Sequence, residues 1–188
     1  MSTIAQIITA GELLDSPNIG PCELIRGELV VMPPSGFPHG KLSARIARYL
    51  DAFVEEHSFG EVTGSEAGYL IARDPDTVRA PDVGFVRESR LPDETDEGFF
   101  PGPPDLAVEV LSPWDRATDV LAKIQDWLDA GCRCVWIADP ANRTVVVYRS
   151  GESPVRLTID DTLTAEDILP GFQLPLAKIF GSKRRSKK

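Results

Sequence analysis

The stretch DLAVEVLSPWDRATDVLAKIQDWLDAGCRCVWIAD, residues 105–139, decides the fold. DLAVEVL is the most strand-like run in the chain, interrupted only by Glu109. SPWD then reads as a helix start, in which Ser112 caps, Pro113 suits the first helical position and Asp115 supplies the third-position acid. The spacing predicts a helix over about 113–130, with Val120, Ile124 and Trp127 as its apolar stripe and Leu121 and Leu128 beside it. Gly131 stops it, and CRCVWIAD follows as a second strand. A helix joining two strands in this way allows them to lie parallel in one sheet.

Downstream, TVVVYRS forms a hairpin with CRCVWIAD across the PANR turn. VRLTI is a last strand, and AEDILPGFQLPLAKIF reads as a helical fragment packed on the body. Upstream, TAGE (9–12) matches a capping box opening a short helix. CELIRGELVVM suggests two extended segments around a turn at Arg26-Gly27. PPSGFPHG reads as a loop that excludes a helix, and Leu42, Ile46, Tyr49, Leu50, Phe53 and Val54 mark a helix over 41–56. AGYLIAR and DVGFV read as strands, DPDTVRAP as a turn and lead-in, and RESRLPDETDEGFFPGPP as a surface loop. The order implies a mixed α/β (α+β) fold, one domain over 1–182 and a basic tail over 183–188. No GxGxxG or Walker sequence is present, so a dinucleotide or P-loop site has no support.

The chain has 188 residues, with 20 basic and 29 acidic side chains and a net charge of −9. Five of the basic residues lie in the terminal KRRSKK; the rest of the chain holds 15 basic against 29 acidic, a net of −14. Such a body repels a polyanion at long range, so nucleic-acid binding requires a local basic groove or divalent cations. Lys41, Arg45, Arg48, Arg73, Arg79 and Arg116 are candidates for a basic rim. The odd count of three cysteines implies no disulfide framework, and Cys132 and Cys134 are expected on one side of a strand as small apolar filling. No segment reaches the length of a membrane span, and the N-terminus lacks a leader pattern, which points to a cytoplasmic protein.

Carboxylates in apolar runs need partners or a metal. Asp82 stands after a proline at the mouth of RAPDVGFV, and Glu109 alternates onto the face shared by Ala107 and Leu111. Glu109 either meets solvent at a strand end or converges with Asp82 on a hard divalent cation. Lys123 forms an i, i+4 surface pair with Asp119, or runs its stem along the sheet to Glu109. His39 is a loop residue with a capping role or a proton-transfer role, and Lys41 a phosphate contact. Glu28 is a supporting ligand or a turn residue. His57 suits a helix C-terminus and is assigned no chemistry.

ELIRGELVVMPPSGFPHGKLSARIARYL, RAPDVGFV, the segment from PDLAVEVLSPWD to CVWIADP, and LPGFQLPL together resemble, in that order, the Uma2 family of the PD-(D/E)XK nuclease superfamily. The likeness runs from about Leu13 to Phe180. It implies a restriction-endonuclease-like core: a central mixed sheet flanked by helices. It further implies a Mg²⁺-dependent endonuclease (Mn²⁺ as substitute) acting on DNA, with Asp82 and Glu109 as metal ligands joined by the Val110 carbonyl. The superfamily's acid-x-lysine reads Glu109-Val110-Leu111 here, without the lysine. Lys123 matches a helical lysine that replaces it, with Glu28 and His39 supporting. Asp119 matches the acid of the helix segment, and Trp127 stands where a tyrosine is common, a swap expected to alter packing more than chemistry.

Two rivals stand beside this reading: a nuclease fold retained as a binding or regulatory module, and a metal-dependent phosphoesterase acting on RNA or a small phosphorylated substrate. A homodimer would place two sites across a duplex, although no interface is legible.

Overall fold

The computed structural model describes residues 7–16, 19–92 and 97–181, so the tail over 183–188 lies outside the described residues. The strands, in chain order, are β1 (Cys22–Ile25), β2 (Glu28–Val31), β3 (Gly60–Thr63), β4 (Tyr69–Ala72), β5 (Thr77–Arg79), β6 (Val83–Arg87), β7 (Phe100–Pro101), β8 (Leu106–Val110), β9 (Cys134–Asp139), β10 (Thr144–Tyr148), β11 (Val155–Leu157), β12 (Thr162–Thr164) and β13 (Gln173–Pro175). The α-helices are α1 (Ala10–Leu14), α2 (Phe37–His57), α3 (Ala117–Asp129) and α4 (Leu176–Phe180).

Two larger sheets result: a six-stranded one ordered β11-β10-β9-β8-β6-β3 and a five-stranded one ordered β2-β1-β5-β4-β7. In the first, β8 and β9 are parallel, joined by α3, while the other neighbours are antiparallel. The mixed sheet is therefore as the strand–helix–strand pattern predicts. Alternation along β8 sends Leu106, Val108 and Val110 to the core beneath α2 and the C-terminal segment, and Ala107 to the core beneath α3. The Arg26-Gly27 turn has φ of 51° and 81° at its two residues, the left-handed pair that a tight hairpin requires.

Several boundaries differ from the pattern. α2 starts at Phe37 and takes FPHG into its first turn, because a proline there sacrifices no intrahelical hydrogen bond. His39 is consequently a helix residue rather than a loop residue. α3 starts at Ala117, not at Pro113. Asp115 accepts from the Ser112 amide at 2.8 Å and returns its own amide to the Ser112 carbonyl at 3.2 Å, so SPWD closes as a separate turn. The run 77–79 expected as a lead-in pairs as β5, and the C-terminal helix shrinks to α4 behind the β12–β13 pair. Pro170, Gly171 at φ 83° and Pro175 leave no room for a longer helix. Cys132 and Cys134 fall on opposite faces of the sheet, because β9 begins only at Cys134.

One glycine fixes how the two sheets approach. A Cβ on Gly84 of β6 would lie 2.4 Å from the Tyr69 hydroxyl and 2.7 Å from Thr63 Oγ1, two atoms hydrogen-bonded to each other at 2.7 Å. Tyr69 is 1% exposed, so its ring is held in place against β6. Gly84→Ala is expected to lower unfolding stability by about 1–3 kcal/mol through overpacking, measured by urea denaturation. Tyr69→Phe combined with Gly84→Ala should recover part of the loss by removing the clashing oxygen.

Candidate active site

The connection Ala80-Pro81-Asp82 carries the chain from β5 in one sheet to β6 in the other, and the site lies along this junction. Pairing of β6 with β8 ends at Val83 and Val108, so Asp82 sits just beyond the ladder beside the end of β8. There Asp82 Oδ2 accepts the Val110 amide at 2.7 Å and meets His39 Nε2 at 3.1 Å. The proline explains itself here: Asp82 follows the last residue that need not donate to a sheet, and its side chain takes over an amide that β6 no longer reaches.

Glu109 points to the α3 side of β8. Its Oε1 accepts the Trp127 indole N–H at 2.9 Å, and its Oε2 meets Lys123 Nζ at 2.9 Å. The ammonium has two further acceptors, Glu23 Oε1 at 2.9 Å and the Ala80 carbonyl at 3.2 Å. Three protons therefore serve three groups from three separate elements. The i, i+4 pair with Asp119 does not form; Asp119 is exposed and accepts from Thr118 Oγ1 at 3.1 Å.

Glu23, in the middle of β1 and 3% exposed, belongs to this cluster. Its Oε1 also accepts the Ala80 amide at 3.1 Å, and its Oε2 pairs with Arg79 at 2.7 Å. The other edge of the Arg79 guanidinium binds Asp126 of α3, with Nε at 3.1 Å. Arg79 is thus a buried tie between β1, β5 and α3, not part of a surface rim. None of the hydrogen bonds or ion pairs joining the cluster among the described residues reaches Glu28, which stands exposed at the head of β2 beyond the Arg26-Gly27 turn. The signal for Glu23 was present in CELI: an acid between apolar neighbours in a short strand, the same anomaly as Glu109 in LAVEVL.

Four carboxylates (Glu23, Asp82, Glu109 and Asp126) face two permanent cations, Arg79 and Lys123. Burial raises the pKa of Glu23, but the adjoining Lys123 and Arg79 charges outweigh it and hold Glu23 below the usual range. Burial pushes Glu109 up to about 7, opposed by Lys123 and reinforced by the charges of Asp82 and Glu23. The difference has a simple cause. The two acids share one ammonium, and Glu23 has a second cation while Glu109 does not. The hydrogen bond to Asp82 raises the His39 pKa against the opposite pull of burial, and His39 Nδ1 is buried without a hydrogen-bond partner.

Excess negative charge therefore concentrates at Asp82 and Glu109. No cluster of three or more His, Cys, Asp or Glu side chains forms a metal cage among the described residues. A hard cation of the Mg²⁺ type needs less, being held through one or two carboxylates with water and phosphate oxygens. Asp82 and Glu109 fit that requirement. The Val110 carbonyl lies on the same strand edge as its amide, which faces Asp82.

A mixed sheet flanked by helices, with acids at the ends of two adjacent strands, defines a restriction-endonuclease-like fold. The structure resembles a crystal structure from Anabaena variabilis described as "a putative nuclease belonging to DUF820", with a TM-score of 0.79 and 24% identity over 92% of this chain and 97% of that one. The family model Uma2, "Putative restriction endonuclease", matches residues 11–177, and the chain belongs to the Uma2 family. No curated protein matches the chain.

Burial of Glu109 links stability to pH. Its folded pKa of about 7 exceeds the ordinary 4.5, so the unfolded chain ionises first as pH rises. Stability contributed by this group is full below about pH 4.5 and is lost as pH climbs through about 7. In metal-free buffer, the wild-type midpoint temperature should fall over that window more than that of Glu109→Gln. Parallel profiles for the two proteins would contradict the assignment.

Proposed function

We propose that this protein is a Mg²⁺-dependent endonuclease that hydrolyses DNA phosphodiester bonds, with Mn²⁺ able to substitute. The observation that carries the reading is the placement of two acids on successive residues of one strand end: Asp82 accepts the Val110 amide at 2.7 Å, and the preceding Glu109 meets Lys123 at 2.9 Å. Family membership supports nuclease chemistry, and the surplus of acid supports a divalent ion.

Asp82, Glu109 and the Val110 carbonyl would hold the cation. Bound there, it polarises a phosphodiester oxygen and lowers the pKa of a water. Lys123 keeps Glu109 oriented and places positive charge beside the phosphate. All three of its protons are already engaged, so direct contact with a water requires release of the Ala80 carbonyl, the longest of the three contacts at 3.2 Å. His39 orients Asp82 from α2 and offers a proton at Nε2. Glu23 holds Lys123 by charge and hydrogen bonding, and Arg79 holds Glu23 in turn. Trp127 donates directly to Glu109, so the tryptophan at this position takes part in the site as well as in packing. Glu28 has no part in this arrangement.

Purified protein should cleave DNA, offered both as a single strand and as a supercoiled plasmid, with Mg²⁺ or Mn²⁺, and Asp82→Ala should reduce the rate by at least about a hundredfold, as loss of a principal electrostatic group does. Cutting at equal rates by both proteins would refute the reading. Lys123→Met leaves Glu23 and Glu109 without their shared ammonium and is expected to cost about 3–5 kcal/mol of stability. Lys123→Arg is therefore the better kinetic probe. It should retain the fold while lowering turnover, since a planar guanidinium does not reproduce three convergent short contacts.

A further inference from the structure

Two large aromatic side chains stand in solvent beside the acid site. Trp114 is 89% exposed and Phe37 83%, whereas Trp127 and Trp136 are fully buried. Trp114 lies in the turn between β8, which carries Glu109, and α3, which carries Lys123. Phe37 is the first residue of α2, two positions before His39, whose imidazole meets Asp82. Both segments adjoin Asp82, which meets His39 Nε2 at 3.1 Å and accepts at 2.7 Å the amide of Val110, four residues before Trp114.

From this placement we propose that Phe37 and Trp114 are stacking platforms for unpaired nucleobases on either side of the scissile phosphate, which makes single-stranded nucleic acid the substrate class. The inference rests on the reading of the centre as a phosphodiester hydrolase and specifies what that hydrolase receives. Charge favours it. Outside the basic tail the chain carries 29 acidic against 15 basic residues, a poor match to the dense phosphates of a duplex. Stacking on an aromatic face supplies affinity without that match, and only an unpaired strand presents its base faces. The exposed cations nearest in sequence, Lys41 one helical turn from Phe37 and Arg116 two residues from Trp114, are placed for the backbone of a single strand. Arg45 and Arg79 are otherwise engaged, with the Ile179 carbonyl and the buried carboxylates respectively.

Trp114 is its own reporter, because the other two tryptophans are inaccessible. Fluorescence titration with oligothymidylate or oligouridylate of about eight nucleotides, with Ca²⁺ replacing Mg²⁺ and the strand verified intact, should quench the wild-type emission. Binding of Trp114→Ala and of Phe37→Ala, followed by anisotropy of a labelled strand, should be weaker by roughly tenfold each, and Trp114→Phe should recover most of the loss. A strand of abasic sites should bind wild type and Trp114→Ala alike, and a blunt duplex should bind more weakly than the single strand. Binding of either the deoxy or the ribo strand supports the inference and shows which polymer the site accepts. Binding of neither, equal affinity of wild type and Trp114→Ala for the oligonucleotide, or tighter binding of the duplex would overturn it. The two readings fail separately. Stacking without any cleavage removes the hydrolase, while cleavage with an unchanged KM in Trp114→Ala removes the platforms.

Discussion

The Lys123 ammonium is the point on which this architecture turns. It reaches Glu23 on β1, Glu109 on β8 and the Ala80 carbonyl in the connection between sheets, so one charge ties together elements that share no ladder. Arg79 extends the tie to Asp126 of α3. Burying this many charges is tolerated because nearly every polar atom has a partner, and removal of one member leaves its neighbours charged in a poorly hydrated place. The unequal sharing of cations then decides which acid is left in need. Glu23 is satisfied, and Glu109 is not.

That imbalance divides the cluster into a closed half and an open half. Glu23, Arg79 and Asp126 are closed ion pairs with defined partners. Asp82 and Glu109 are held by the Val110 amide, the Trp127 indole, the His39 imidazole and the shared ammonium, without a permanent cation of their own. A further ion cluster, in which Asp105 binds Arg87 and Arg90, braces the other end of β6 and β8 without such a surplus. The contrast is between acid matched by its own cations and acid that shares one.

The strand–helix–strand unit was legible because each of its parts declares itself locally: an apolar run, a helical stripe, a glycine stop. Glu109 and Asp82 were legible for the opposite reason, as violations of an otherwise consistent apolar pattern. Lys123 could be singled out by its position beside the Val120, Ile124 and Trp127 stripe, but its choice between Asp119 and Glu109 depends on what else its ammonium meets, which is settled in three dimensions. Glu23 escaped notice and Arg79 was read as a rim cation, because the partners of each come from the other and from α3 across long sequence separations. The start of α3 was misplaced because Ser112 and Asp115 satisfy the same hydrogen bonds in a lone turn as in a helix cap. His39 was placed in a loop because the proline that breaks a helix interior is harmless in its first turn.

The turn at Arg26-Gly27 and the short strands around it look peripheral to a centre built on β6, β8 and α3. Yet β1 supplies the carboxylate that holds the ammonium, and β5 the guanidinium that holds that carboxylate. A chain shortened to begin at Ala80 would retain Asp82, Glu109 and Lys123 but lose Glu23 and Arg79, and with them the charge balance around the ammonium. The cluster therefore cannot be assembled from either half of the chain alone.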